Sequence, residues 1–229
     1  MRFAKVLVGA GVCLGLLGSV TSAVAQPAPA AGGPTEVPSN IKIVPPIVLR
    51  PLIKVHHAVL HWQETPQWCW AASGQMVMEE AGTRTVPQCY EANQALGRTD
   101  CCSCPTPAAC VQPGWPQWST WGFNNKTANP LSWAELVAKI DAGKPFAFAW
   151  GWNGGGGHMM VVRGYAVNLL LGDSVYVDNP WGPKGRCGPG GNASGPFGGD
   201  FEYISYADFL GGPGYDHVFW GADYDVTPK

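Results

Sequence analysis

Charge is scarce in this chain. Only 13% of its 229 residues are Asp, Glu, Lys or Arg, and the formal net charge is −2. Binding to a nucleic-acid backbone calls for a basic face that displaces counterions. With no cationic excess to build one, no nucleic-acid partner is expected. Long hydrophobic runs are lacking as well. The N-terminal apolar stretch from Val6 to Gly18 falls short of the roughly 20 residues a spanning helix needs, so no membrane anchor is expected once the N-terminus is processed. There is no internal repeat. Neither glycine-heavy stretch, Gly154 to Gly157 or the run from Gly188, leads into the lysine of a phosphate-binding loop. Core-forming material is plentiful: 46% of residues are hydrophobic and 11 are Trp, which excludes a disordered chain.

Arg2 and Lys5 precede the apolar run, and Ala23-Val24-Ala25 follows it before Gln26. A basic start, an apolar middle and an A-x-A site describe a cleavable secretory signal over residues 1–25. Residues 26–47 are rich in Pro, Ala and Gly and read as a flexible leader, which leaves a domain expected over 48–229. The expected destination is the periplasm or the medium, an oxidising environment. Cleavage removes Cys13 and leaves seven cysteines. An odd count in an exported chain leaves one thiol free, and the other six allow three disulfides in about 15 connectivities. Cys69 is the expected free thiol, because Cys89, Cys101, Cys102, Cys104, Cys110 and Cys187 all lie in turn-rich, Gly/Pro-rich surroundings. In that setting the cluster from Cys101 to Cys110 reads as disulfides. His56, His57 and His61 have no downstream Cys/His partner at zinc spacing, and no metal is expected.

From Trp68 the chain reads WCWAASGQMVMEEAG, which puts Trp70, Gly74, Val77, Met78 and Ala81 on one helical stripe, with Pro66 before it and Gly82 as its stop. Cys69 therefore falls in the first turn. The block from Pro87 to Trp121, dense in Cys, Pro, Gly and Trp, reads as an irregular, disulfide-stapled subdomain. A second helix follows Ser132, which with Glu135 matches a capping box, while Leu131 and Leu136 match a hydrophobic staple. Gly143 and Pro145 end it. Thereafter short β-rich runs begin at Phe146, His158, Ser174 and Val218. Helices first and strands after them predict an α+β domain with a mostly antiparallel sheet.

A thiol acts as a nucleophile in its thiolate form, and a helix N-terminus lowers its pKa. Gln63, six residues before Cys69, carries a primary amide that can donate to an oxyanion. His158 opens a strand directly after four glycines, and Asn179 ends another just before Pro180-Trp181-Gly182. Such a histidine can serve as a base and such an amide can hold its ring.

Three blocks, Q-x5-C-W-A, G-H-x-x-x-V-x-G-Y and N-P-W-G, occur in that order between Gln63 and Gly182. Together they resemble the signature blocks of papain-like cysteine peptidases. The details S-W-x-E-L, D-A-G-K-P and G-G-H are similar to bacterial secreted papain-like and bacteriocin-leader-type members, over roughly Val59 to Asp225. The resemblance implies a papain-like fold, with an N-terminal helical part that carries the nucleophile packed on the sheet. It also implies hydrolysis of peptide bonds in a protein or peptide substrate by a monomer that needs no cofactor. In the implied roles Cys69 is the nucleophile, Gln63 the oxyanion donor, His158 the acid/base and Asn179 the orienting residue. Asp178 is the alternative third member, because only one of two adjacent strand residues faces His158. Trp68, Trp70, Gly157 and Trp181 are expected along the substrate cleft, with Trp181 shielding the imidazole. The same Cys and His would also serve an amidase or transpeptidase acting on cell-wall or isopeptide bonds, and the same fold would serve an inactive binding module.

Overall fold

The computed structural model describes residues 52–57, 59–82, 84–168, 170, 172–182 and 199–229. The signal and leader expected over 1–47, and Cys187, lie outside the described residues. Around Cys69 the apolar positions fill every face of the helix. Helix α1 (Cys69–Gly82) is buried continuously from Trp70 to Met78, as expected of a helix at the centre of a core and not on its surface.

The apolar runs become the sheet. β3 (Phe146–Trp152), β4 (Gly157–Ala166), β5 (Ser174–Asn179) and β7 (His217–Pro228) are joined by β2 (Phe123–Ala128) and β6 (Asp200–Ser205) in the order β2-β7-β3-β4-β5-β6. A short strand, β1 (Ile53–Val55), pairs with the end of β4 at Gly164 to Ala166, beyond the segment that pairs with β3. Every pairing is antiparallel. The sheet is buried on both faces. One face carries Ala147, Ala149, Met159 and Val161 against α1. The other carries Phe148, Met160, Val162 and Val177 against α3 (Trp133–Asp141) and the short α4 (Tyr206–Leu210). Helix α3 begins as the sequence predicts: Ser132 and Glu135 form a reciprocal capping box, of a kind that contributes about 1 kcal/mol. Leu131 and Leu136 are both buried beside it. All elements belong to one unit, Leu49–Lys229, and the architecture is α+β.

The block from Pro87 to Trp121 differs from its expected irregularity. It contains helix α2 (Gln88–Leu96), closed by Gly97 in the left-handed region at φ 63°. Disulfide Cys89–Cys102 ties α2 to the loop that follows, Cys101–Cys110 closes that loop on itself, and Cys104 is disulfide-bonded as well. Bridges of this span each stabilise a fold by about 2–4 kcal/mol. Asp100 lies beside Cys101 and Cys110, but both sulfurs are consumed by their bond, so the cluster offers no thiolate for a metal. Among the described residues no helix is long and apolar enough to cross a membrane.

Candidate active site

Cys69 is the first residue of α1 and the free cysteine among the described residues. Its two tryptophan neighbours anchor the disulfide-stapled loop: Trp68 Nε1 donates to the Cys110 carbonyl at 2.8 Å and Trp70 Nε1 to the Gln112 carbonyl at 3.2 Å. This corrects one expectation. Trp68 is a wholly buried core residue with its indole turned to the staple, and it does not line the cleft. Trp70 does. The anchored loop in turn presents Pro113, Gly114 and Trp115 as a cleft wall.

The cleft has a volume of about 440 Å³, and its lining includes Cys69, Trp70, Trp115, Gly157, His158 and Trp220. Gly157 is paired across β3 and β4 with Gly151, and the bare backbone there seats the Trp220 ring. A Cβ at Gly157 would meet Trp220 Cζ3 at 2.5 Å and the Trp150 carbonyl at the same distance. Thus Gly157, the last of the glycines before His158, and Gly151 opposite it give room to an aromatic wall. Trp115 and Trp220 are about half exposed, and apart from Cys69 and His158 the surroundings are largely apolar.

His158 and Asn179 meet as the strand register requires. Val161 pairs with Asp178 and Val162 with Val177 on β4 and β5. His158 Nε2 lies 2.7 Å from Asn179 Oδ1. The same oxygen accepts the Trp181 N–H at 2.9 Å, a local turn that brings the Trp181 ring edge-on to the imidazole with centroids 5.8 Å apart. Trp181 itself remains exposed and is not part of the cavity lining. The other amide edge of Asn179 is also engaged: Nδ2 donates to Glu202 Oε1 on β6.

Asp178 points elsewhere. Its carboxylate is completely buried and lies 2.6 Å from Arg163 Nε, and the Arg163 guanidinium packs over the Phe201 ring. Burial pushes the Asp178 carboxyl up to about 7 against the pull of Arg163. Adjacent strand residues alternate in direction, so the residue turned toward His158 is Asn179.

Gln63 is completely buried and does not line the cleft. Its backbone N–H donates to the Pro180 carbonyl at 2.9 Å, which fastens the segment before α1 to the Asn179 turn. One Nε2 hydrogen goes to the Thr65 carbonyl at 3.0 Å, which leaves the second for another acceptor.

Burial acts on both ionisable groups in the cleft. It raises the Cys69 thiol above its ordinary value, while backbone N–H groups of Met159, Trp70 and Cys69 itself pull it back down. It lowers the His158 imidazole, against which the Asn179 bond raises it. Each charged form alone is disfavoured by the dry surroundings. A thiolate and an imidazolium formed together carry no net charge, so transfer of a proton within the pair avoids much of that penalty.

Sequence reasoning does not single out Trp220, Met159 or Glu202. Trp220 lies in a run legible only as a strand. Met159 contributes through its backbone, which no side-chain pattern reports. Glu202 belongs to D-F-E-Y-I-S, whose alternation of aromatic and polar residues is the one available signal for a strand.

The family model of the papain-like cysteine protease AvrRpt2 matches residues 54–187, a segment that holds Gln63, Cys69, His158, Asp178 and Asn179. No curated protein matches the chain. With a thiol at a helix head, a histidine on the facing strand and a match over more than half of its length, the chain belongs to the family of the papain-like cysteine protease AvrRpt2 and is a cysteine peptidase.

Proposed function

We propose that this protein is an exported endopeptidase that hydrolyses peptide bonds through Cys69, His158 and Asn179, with Gln63 as an oxyanion donor. The observation that carries this reading is the 2.7 Å contact of Asn179 with His158, a residue that lines one cleft together with the free Cys69. Because Asn179 Oδ1 can only accept, the ring donates Nε2–H to it, which leaves Nδ1 to exchange a proton with the thiol. Attack by Cys69 Sγ on the substrate carbonyl forms a C–S bond and an oxyanion. The free Nε2 hydrogen of Gln63 and the Cys69 backbone N–H are the donors assigned to it. His158 then protonates the leaving amine, the acyl-enzyme forms, and water activated by the same ring releases the acid. Export is supported by the N-terminal signal pattern and by the disulfides, which persist in oxidising compartments.

The test is digestion of a reduced, unfolded protein by the mature chain, with the new N-termini identified by mass spectrometry, beside a digest of peptidoglycan stem peptides. New internal N-termini are expected in the first digest. Release of products from stem peptides alone would replace the endopeptidase by an amidase of the cell wall.

Two further results are expected. Gln63→Ala should lower kcat about 10²–10³-fold, the usual cost of one oxyanion donor, with little change in KM; an unchanged kcat would remove Gln63 from the mechanism. The second concerns pH. The competent form carries one proton shared by Sγ of Cys69 and the imidazole, whichever atom holds it. Acid adds a second proton at His158, which burial holds below its ordinary 6.5. Base removes the shared proton at the thiol, which burial holds above its ordinary 9.0. The kcat/KM profile should therefore be a broad bell, with its acid limb below 6.5 and its alkaline limb above 9.0. A bell narrower than this interval would contradict the assignment.

A further inference from the structure

We infer that Glu202 is a positioning residue that sets the direction of the Asn179 amide and thereby the tautomer of His158. The inference rests on the catalytic roles proposed above and adds a residue from β6, beyond the segment 54–187 that matches the family.

A primary amide has two nearly isosteric edges, one that accepts and one that donates. Only the accepting edge serves His158 here. If Asn179 turned over, its NH2 group would face Nε2, which would then have to accept. The ring proton would move to Nδ1, the atom needed to take the thiol proton, and the pair could not form. The Trp181 N–H favours the correct direction by donating to Oδ1, but it is one neutral hydrogen bond in an exposed turn. Glu202 acts on the opposite edge. Its Oε1 accepts from Asn179 Nδ2, and a carboxylate has no proton to offer in return, so it excludes the turned amide outright. The sheet fixes this contact. Glu202 pairs with Val177, and Asn179 with Asp200, on β5 and β6. Asn179 and Glu202 are thus diagonal neighbours on one face, within reach of each other's side chains.

This assigns a division of labour between two carboxylates near the imidazole. Asp178, adjacent in sequence, is held by Arg163. Glu202, distant in sequence, acts on the ring through an amide. Its substitution should therefore matter only while that amide is present.

The experiment compares wild type, Glu202→Ala, Glu202→Gln, Asn179→Ala and the double variant Glu202→Ala/Asn179→Ala. Two readouts are used: the ¹⁵N chemical shifts of the His158 ring nitrogens, and kcat and KM on a peptide substrate. In wild type the neutral ring should carry its proton on Nε2. In Glu202→Ala a population with the proton on Nδ1 should appear, and kcat should fall about 10–100-fold, by analogy with the loss seen when the outer partner of a metal-bound histidine is removed. KM should stay as it is. Glu202→Gln, which can accept through its own carbonyl, should recover part of the loss. In the Asn179→Ala background the Glu202 substitution should have no further effect. An unchanged tautomer in Glu202→Ala would overturn the inference, and so would an equal loss of kcat with and without Asn179. If wild type cleaves no peptide while the tautomer still responds to Glu202, the proposed function fails and the positioning role stands.

Discussion

Cys69→Ala should abolish peptide-bond hydrolysis while leaving the fold intact. Removing the nucleophile of a catalytic unit whose members act together lowers kcat by about 10⁶-fold in the comparable serine enzymes, so the residual rate should be at the background of the assay. Stability should hardly change. Cys69 is half-buried at the head of α1 and forms none of the described disulfides, and alanine is the best helix former. The variant should therefore keep the wild-type melting temperature and circular dichroism with no turnover. Turnover retained by a well-folded Cys69→Ala protein would remove the thiol from the reaction altogether.

The second large effect separates two adjacent residues. Asn179→Ala deprives His158 of its hydrogen-bond acceptor and lets the ring take the wrong tautomer or rotate, a defect that costs up to about 10⁴-fold in kcat where the orienting residue of a triad is altered. Asp178→Asn should behave differently. It removes the charge facing Arg163 in a buried pair, and a buried charge left without its partner destabilises the fold. A lower melting temperature is expected, with kcat close to wild type once the protein is folded. Steady-state kinetics and thermal melts on the two purified variants measure both effects. The reverse pattern, an active Asn179→Ala and an inactive but stable Asp178→Asn, would transfer the orienting role to Asp178.

How far the sequence spoke for the structure depended on what each segment buries. The runs beginning at Phe146, His158 and Ser174 lie between two cores, so their composition alone marks them as strands. α3 is legible from its cap because Ser132 and Glu135 act locally. β2, reading FNNKTA, is an edge strand with a largely exposed, polar surface, and it carries no apolar signal. β1 has three residues and exists only because β4 offers it an edge. α2 is hidden for another reason: its buried face includes Gln88, Cys89 and Glu91, so polar and bridged residues occupy positions where apolar periodicity would be sought.

The site divides in the same way. Cys69, His158 and Asn179 belong to contiguous motifs whose residue types suit the proposed chemistry, so each is legible in the sequence as a candidate. Trp68 sits in such a motif too, yet its indole serves the staple. Its role depends on where the Cys110 carbonyl lies, which is a tertiary fact. Glu202 is the opposite case, an unremarkable acidic residue in sequence that acquires its meaning from the β5–β6 register. Directional, long-range contacts of this kind leave no periodic trace.

The most direct test of the central claim is to label the purified mature protein with an epoxysuccinyl cysteine-protease inhibitor at neutral pH and map the adduct by mass spectrometry, with Cys69→Ala beside it. A single adduct on Cys69, absent from the variant, is the predicted result, because opening an epoxide requires an activated thiolate beside a proton donor. An intact, reduced Cys69 that takes no label would contradict the account and leave a papain-like fold without a working nucleophile.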